Sequence, residues 1–248
     1  MASVILPSGK ETPVSAVLFD NDGTLVDTHD LLLTSFQYAT KEVLGKVFPE
    51  EMYMKGVGTP LADQMFDFTD DPAEAKELLS VYREYNKSIH DQMIKPFEGM
   101  DQALAQLKDA GLKLGVVTSK LHALAWHGLE VTGLSSYFDF LIGPDDFPEH
   151  KPEPGPVVEG CRRMGFDPAN CVYVGDSPFD IHSGNGAGTT TIAVLWVCSR
   201  VRSWRLKIPT STAKRCLIWS RLSICRRFGR ALRSFFRRAS NSYSSNGV

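Results

Sequence analysis

No acidic residue follows Asp180: all 29 Asp and Glu lie at or before it. No apolar run reaches the roughly 18 residues that a membrane-spanning helix needs, so that class is excluded. The five cysteines form no C-x-x-C pair and no His–Cys cluster at zinc spacing, which argues against a disulfide scaffold and for a reducing, cytoplasmic setting. The opening MASVILPSGKETPVSAV lacks a cationic start followed by an apolar stretch and a small-residue cleavage site, so no secretion signal is expected. Gly184, Gly186 and Gly188 fail the G-x-G-x-x-G spacing with its following acid, and no G-x-x-x-x-G-K-[ST] occurs. What is present is ordinary globular composition: 248 residues, 43% hydrophobic, 10% aromatic and 23% charged. That excludes a wholly disordered or collagen-like chain, and the length suits two domains or one with a sizeable insertion.

The net charge of −2 hides a division. Residues 1–196 carry 14 Lys and Arg against all 29 acids, a balance of −15, whereas residues 197–248 carry 13 Lys and Arg and no acid. Two compositions share one chain.

Short apolar runs that end at turns predict buried strands over residues 15–20 (SAVLFD), 113–118 (KLGVVT), 140–143, 171–175 (CVYVG) and 190–195 (TTIAVL). Helical patterns lie between the later ones: residues 101–110 close at Gly111, 121–132 at Gly133, and 156–164 at Gly165. This alternation predicts an α/β fold with a doubly wound parallel sheet, whose ligands sit at the carboxyl ends of the strands. The first strand breaks the alternation. Between residue 27 and about residue 95 the pattern is helical throughout, with a 3.6-residue period over 29–44 and a helix over 72–92 that has Asp71 as N-cap and Pro72 at its first turn. The expected organisation is a catalytic core of residues 1–26 and 96–196, an all-helical cap of residues 27–95 inserted after the first strand, and an atypical basic tail of residues 197–248. A lid hinged over the strand ends is the picture this organisation suggests.

Four segments fall at predicted strand ends: Asp20-Asn21-Asp22-Gly23-Thr24-Leu25, Thr118-Ser119-Lys120, Lys151-Pro152, and Gly175-Asp176-Ser177-Pro178-Phe179-Asp180. They supply carboxylates, two lysines and hydroxyls. Magnesium takes hard oxygen ligands, and a transferring phosphoryl group needs its charge neutralised by metal, lysine and backbone N–H groups. The inventory fits phosphoryl transfer. Taken singly each segment is ordinary: Asp-Gly is a turn signal, Asp176-Ser177-Pro178 could cap a helix, and Lys151 alone is a loop lysine.

In this order the four segments resemble the haloacid dehalogenase-like superfamily, over roughly residues 14–196. The helical insertion after DGTLVDT is similar to the members whose cap follows the first motif, among them phosphoglycolate phosphatases and a related bacterial pyrophosphatase. The resemblance implies that Asp20 attacks phosphorus and that Asp22 protonates the leaving oxygen and then takes a proton from water. It implies Mg²⁺ held by Asp20, Asp176 and the backbone carbonyl of Asp22. Thr118 would hydrogen-bond the phosphoryl oxygens with Ser119 beside it, and Lys151 would balance charge. Asp180, at i+4 from Asp176, would share its helical face and serve the metal shell. Gly58 and Thr59, in the loop Gly56-Val57-Gly58-Thr59-Pro60, occupy the place of a substrate-contacting loop. The acid Asp22 favours a phosphatase over a dehalogenase, because an alkoxide leaving group needs a proton and a halide does not. Asn21 stands where the family usually has an apolar residue. It is expected to alternate away from Asp20 and Asp22 and to alter packing only.

These implications make the chain a Mg²⁺-dependent phosphatase of small phosphorylated metabolites, with 2-phosphoglycolate first, and inorganic pyrophosphate or a sugar-phosphate mutase reaction as alternatives. From another class, an inactive core with a nucleic-acid-binding tail would show a steep salt dependence of affinity. The tail itself allows a nucleic-acid arm, an anionic-membrane helix or a targeting extension. A different origin is a shifted reading frame. One permissible set of codons for residues 197–206 (VCSRVRSWRL), moved by a single base, reads GVFSRAELAP, which is similar to the family's continuation. A foreign tail would take the place of the core's last elements and leave a sheet edge exposed. His90, His122, His127 and His182 share no spacing with carboxylates and are expected to be structural, with Cys161 and Cys171 as buried thiols.

Overall fold

The computed structural model of the chain describes residues 2–5, 11–57, 59–194 and 216–219. An antiparallel pair opens it, β1 (Ala2–Ile5) against β2 (Glu11–Val14). Next comes β3 (Ala16–Phe19), four apolar residues, all buried. Burial on both faces is what an uninterrupted apolar run buys a strand in a parallel sheet, where alternation would be wrong.

The chain divides into two compact units, Asp27–Lys95 and the remainder. The strands β4 (Val26–Asp27) and β5 (Lys95–Pro96) pair with each other. Between them lie α1 (His29–Leu44), α2 (Glu50–Met54), α3 (Leu61–Gln64) and α4 (Pro72–Met93). The long helices begin and end where local chemistry directs. Asp71 accepts a hydrogen bond from the Ala73 N–H at 2.8 Å, Pro72 opens α4, and Gly45 closes α1 in the left-handed region. Phe36, Tyr53, Met65, Leu78 and Tyr82 form a separate core for this unit.

The other unit continues with α5 (Met100–Asp109), β6 (Lys113–Val117), α6 (His122–Val131), β7 (Leu141–Ile142), α7 (Gly155–Met164), β8 (Cys171–Gly175), α8 (Pro178–Ala187) and β9 (Thr190–Val194). A last strand, β10, spans Cys216–Trp219. The sheet order is β10-β9-β8-β3-β6-β7, with every pairing parallel. The α/β class with a parallel sheet is as the sequence predicts. Successive strands build outward from β3 first on one side and then on the other, so the order reverses at β3, where such sheets bind ligands. Register sharpens this: Phe19 lies opposite Val116 on one side and Val174 on the other. Asp20 therefore leaves the sheet level with Val117 and Gly175, one residue before Thr118 and Asp176.

Three expectations change. The strand expected over 140–143 is reduced to the pair Leu141–Ile142. α8 begins at Pro178 with Ser177 as an extended N-cap (φ −103°, ψ 157°), so Asp176 lies outside the helix and does not share a helical face with Asp180. The β9 edge is paired, because Cys216–Trp219 runs parallel to it with Cys216 opposite Thr191. The rest of the basic tail, with the readings placed on it, lies outside the described residues.

Candidate active site

Asp20 follows β3 directly and is 6% exposed, its backbone N–H donating to the Val174 carbonyl at 2.8 Å. The chain then turns back within one loop. The Leu25 and Val26 N–H groups both donate to the Asn21 carbonyl, at 2.9 and 3.0 Å. Gly23 makes this loop possible for two reasons: its φ of +78° is left-handed, and a Cβ there would lie 2.4 Å from Asp176 Oδ2. Thr24 Oγ1 donates to Asp176 Oδ1 at 3.3 Å, tying the first motif to the fourth.

Lys151 is the buried cation of the site. Its Nζ donates to Asp20 Oδ1 and to Asp180 Oδ1, both at 2.7 Å, and to the Val117 carbonyl at 3.5 Å. Three donors meet three acceptors. Burial opposes the lysine's charge, yet Asp180 and Asp20 hold it protonated well beyond its ordinary range.

The fourth motif is built around Asp180. Ser177 and Asp180 form a capping box: Asp180 Oδ2 accepts from the Ser177 N–H at 3.0 Å and from Oγ at 2.5 Å, and Ser177 Oγ accepts from the Asp180 N–H at 3.2 Å. On the other side, Tyr173 OH lies 2.9 Å from Asp180 Oδ1 and 3.1 Å from the Val117 carbonyl. Gly175 allows this close packing, since a Cβ on it would lie 2.3 Å from that of Asp180. Burial works against the Asp180 carboxylate, but Lys151 and the Ser177 hydrogen bonds keep it below the usual carboxylate range. Both of its oxygens are thus engaged by protein groups. Asp180 anchors Lys151; the helical face it is expected to share with Asp176 is absent because α8 begins at Pro178, while one of its oxygens stays near those of Asp20 and Asp176.

Asp20 and Asp176 behave in the opposite way. Burial is the main cause that pushes Asp20 up to about 7; Lys151 pulls it down, while Asp180 and Asp22 push it further up. Asp176 is raised well above its ordinary value by burial and by the negative charges of Asp180 and Asp20. Asp20, Asp176 and Asp180 bring one oxygen each within 4.8 Å of one another. Fully ionised, three carboxylates against one lysine leave two uncompensated negative charges in a largely buried site. A hard divalent cation would neutralise them, and an all-oxygen donor set is what magnesium takes. With Asp180 occupied, Asp20 and Asp176 are the carboxylates left for such a cation.

The remaining expected residues fall as follows. Thr118 is buried at the end of β6, and its Oγ1 accepts from the Lys120 backbone N–H at 3.1 Å, which leaves its own hydrogen for another acceptor. Ser119 is half-buried next to it. Asp22 is half-buried, with Lys120 Nζ donating to Oδ1 at 3.0 Å and Asn21 Nδ2 donating to Oδ2 at 3.1 Å. Asn21 does not turn away from Asp22, as strict alternation predicts, because β3 ends at Phe19 and the next residues are already in a turn. Thr59 closes its own turn, Oγ1 donating to the Gly56 carbonyl at 2.7 Å, and its carbonyl accepts from Gln64 Nε2 at 2.7 Å. Gly58 lies outside the described residues.

The sequence assigns no role to Tyr173 or Lys120 and reads Ser177 only as part of a possible helix cap. The Ser-x-x-Asp spacing at 177–180 is a legible capping signal. The Tyr173 hydroxyl has no such signal, since it depends on which strands become neighbours.

Comparison with known proteins is consistent with this geometry. The family model described as haloacid dehalogenase-like hydrolase matches residues 17–194, which leaves the basic tail beyond the match. A protein of Caldanaerobacter subterraneus subsp. tengcongensis named "Putative pyrophosphatase PpaX" is 40% identical over 183 residues, 74% of this chain and 82% of that one. Pyrophosphatase PpaX of Bacillus velezensis is 36% identical over 183 residues, 74% of this chain and 84% of that one. Among solved structures, one from Haemophilus somnus 129pt described as "a predicted phosphoglycolate phosphatase" is similar with a TM-score of 0.72. It is 24% identical and covers 83% of this chain and 93% of that one, a likeness that carries the fold alone.

Proposed function

The chain belongs to the haloacid dehalogenase-like hydrolase family, and from that premise we propose that it is a Mg²⁺-dependent phosphatase working through an aspartyl-phosphate on Asp20. The observation that carries this reading is the buried set of Asp20, Lys151, Asp180 and Asp176 where the sheet order reverses.

Each residue's part follows from its contacts. Lys151 fixes Asp20 Oδ1, so the other carboxylate oxygen is the one to attack. The Asp20 oxygen bonds to phosphorus as the bond to the leaving oxygen breaks, and Asp22 gives its proton to the leaving oxygen. Water then attacks the phosphorus, its proton returns to Asp22, and the Asp20–phosphorus bond breaks to restore the carboxylate. Thr118 offers its free hydrogen to a phosphoryl oxygen, with Ser119 adjacent. Asp180, Tyr173 and Ser177 hold Lys151 and never touch the substrate. Mg²⁺, held by Asp20, Asp176 and the Asp22 carbonyl, would neutralise the carboxylate cluster and the phosphoryl charge.

The substrate is a small phosphorylated metabolite. The relatives 36–40% identical bear the name pyrophosphatase, which supports inorganic pyrophosphate over 2-phosphoglycolate, the first choice on sequence alone. Cys161 and Cys171 are both free and buried, which suits a reducing cytoplasm. Among the described residues no helix is long and apolar enough to cross a membrane. The residues 27–95 serve as the cap that selects the substrate, and the tail from residue 197 is a product of a shifted frame, not a nucleic-acid arm.

The test is phosphate release from pyrophosphate and 2-phosphoglycolate, with and without Mg²⁺, by the wild type and Asp20→Asn. The reading expects metal-dependent release that the variant lacks, faster with pyrophosphate. Release by Asp20→Asn at the wild-type rate would overturn it.

A further inference from the structure

Asn21 is 1% exposed, a polar side chain buried just past the end of β3. Its amide is half satisfied: Nδ2 donates to Asp22 Oδ2 at 3.1 Å, while Oδ1 is buried with no hydrogen-bond partner among the described residues. The opposite amide orientation would set oxygen against the carboxylate, so the donor belongs where it is. A buried carbonyl oxygen without a partner is destabilising, and an apolar residue at this position would avoid that cost. Packing therefore does not account for Asn21. Its one hydrogen bond does, and that bond goes to Asp22.

Lys120 completes the arrangement from the other side. It follows β6 in the Thr118-Ser119-Lys120 segment, and its Nζ meets Asp22 Oδ1 at 3.0 Å. Both partners are partly shielded, with side chains 17% and 20% exposed, which makes the pair less screened than a surface contact. Each oxygen of Asp22 thus has a separate donor, one from the residue beside it and one from a neighbouring strand end. Two donors from different directions fix both the rotation and the tilt of a carboxylate.

We propose that Asn21 and Lys120 are positioning residues that hold the Asp22 carboxylate, one oxygen each, in the orientation from which it passes its proton to the leaving oxygen. This rests on the assignment of Asp22 as the proton donor. It also accounts for Asn21 by function where sequence alone predicts only a change in packing.

Leaving-group dependence separates the two ideas. A nitrophenolate departs without a proton, whereas a simple alkoxide needs one. The experiment measures kcat/KM, which ends at departure of the leaving group and so excludes the later step in which Asp22 takes the proton of water, for p-nitrophenyl phosphate and for an alkyl phosphate with the Mg²⁺-loaded full chain as wild type, Asn21→Leu, Lys120→Met, Lys120→Arg and Asp22→Asn. Asn21→Leu and Lys120→Met should each lower kcat/KM for the alkyl phosphate by roughly tenfold, the scale of one lost hydrogen bond, and leave kcat/KM for p-nitrophenyl phosphate within about twofold. Lys120→Arg should recover most of the loss. Asn21→Leu should melt no lower than the wild type, since leucine leaves no buried oxygen unpaired. Equal losses on both substrates in Asn21→Leu and Lys120→Met, beside a selective loss in Asp22→Asn, would overturn the positioning role and leave the proton donor standing. An unselective Asp22→Asn would overturn the proton donor and the positioning role together.

Discussion

The two units of this chain bury polar groups in opposite ways. In Asp27–Lys95 the buried core is aromatic: Phe36 packs against Tyr82 with ring centroids 4.7 Å apart and against Phe68 at 5.6 Å. The hydroxyls within it satisfy one another, with Tyr53 OH 2.8 Å from Thr40 Oγ1 and accepting from the Phe48 N–H at 2.8 Å. The other unit buries Asp20, Lys151 and Asp180 beside one another, with carboxylates in surplus. Apart from tyrosines, the buried ionisable side chains of Asp27–Lys95 are the imidazoles of His29 and His90, not carboxylates. In the rest of that unit packing and neutral hydrogen bonds suffice, which is the less costly arrangement. The contrast teaches that Asp27–Lys95 stands on its own packing, while the sheet unit carries a cluster that works against its own stability.

The largest effect expected of that contrast is catalytic. Asp20→Asn should lower turnover by about three to five orders of magnitude, roughly 4–7 kcal/mol of barrier, as measured by phosphate release. The same change should act in the opposite sense on stability. Burial raises the folded Asp20 carboxyl from its ordinary 3.8 to about 7. The folded state therefore holds the proton more tightly than the unfolded one. Its contribution is fully present below about pH 4 and is lost as pH rises towards 7. In metal-free protein the melting temperature of the wild type should fall over that window more steeply than that of Asp20→Asn. Equal slopes would erase the contrast.

Lys151→Met should be nearly as severe for folding. It leaves Asp20 and Asp180 facing each other without their cation, and losing one partner of a buried pair costs about 3–5 kcal/mol, readable by denaturant unfolding. Phe36→Ala should cost a similar 3–5 kcal/mol, but in Asp27–Lys95. Hydrogen exchange should show the loss in α1 and α4 and leave β3, β6 and β8 protected. Exchange rising equally in both units would show that their cores are not separate. The smallest effect is expected from Ser177→Ala, about 1 kcal/mol for the lost N-cap, with a modest fall in kcat because Asp180 loses one of its anchors.

The parts of this account legible in the sequence are those set by local chemistry. Asp71 before Pro72, the glycines closing α1 and α7, and the apolar runs of β3, β8 and β9 all specify their elements without help from the rest of the fold. Asp20, Thr118 and Asp176 were also legible, because each directly follows an apolar run that forms a strand, whereas Lys151 lies in a turn nine residues past Ile142 and had only its place in the motif order. Two misjudgements share one cause. The i+4 argument for Asp176 and Asp180, and the alternation argument for Asn21, both extended a regular period past the point where the element stops. Helix α8 starts at Pro178 and strand β3 ends at Phe19, and beyond those points turns decide where side chains go. The hydroxyl of Tyr173 and the ion pair of Lys120 with Asp22 were out of reach for a different reason, since each joins residues brought together only by strand order.

The most direct test of the central claim is to catch the phosphoryl group on the protein. Wild type mixed with substrate and Mg²⁺, quenched in acid within a turnover and digested, should show one phosphoryl group on the peptide that carries Asp20, and Asp20→Asn should show none. Steady phosphate release by the wild type with that peptide unmodified at every quench time would contradict the account.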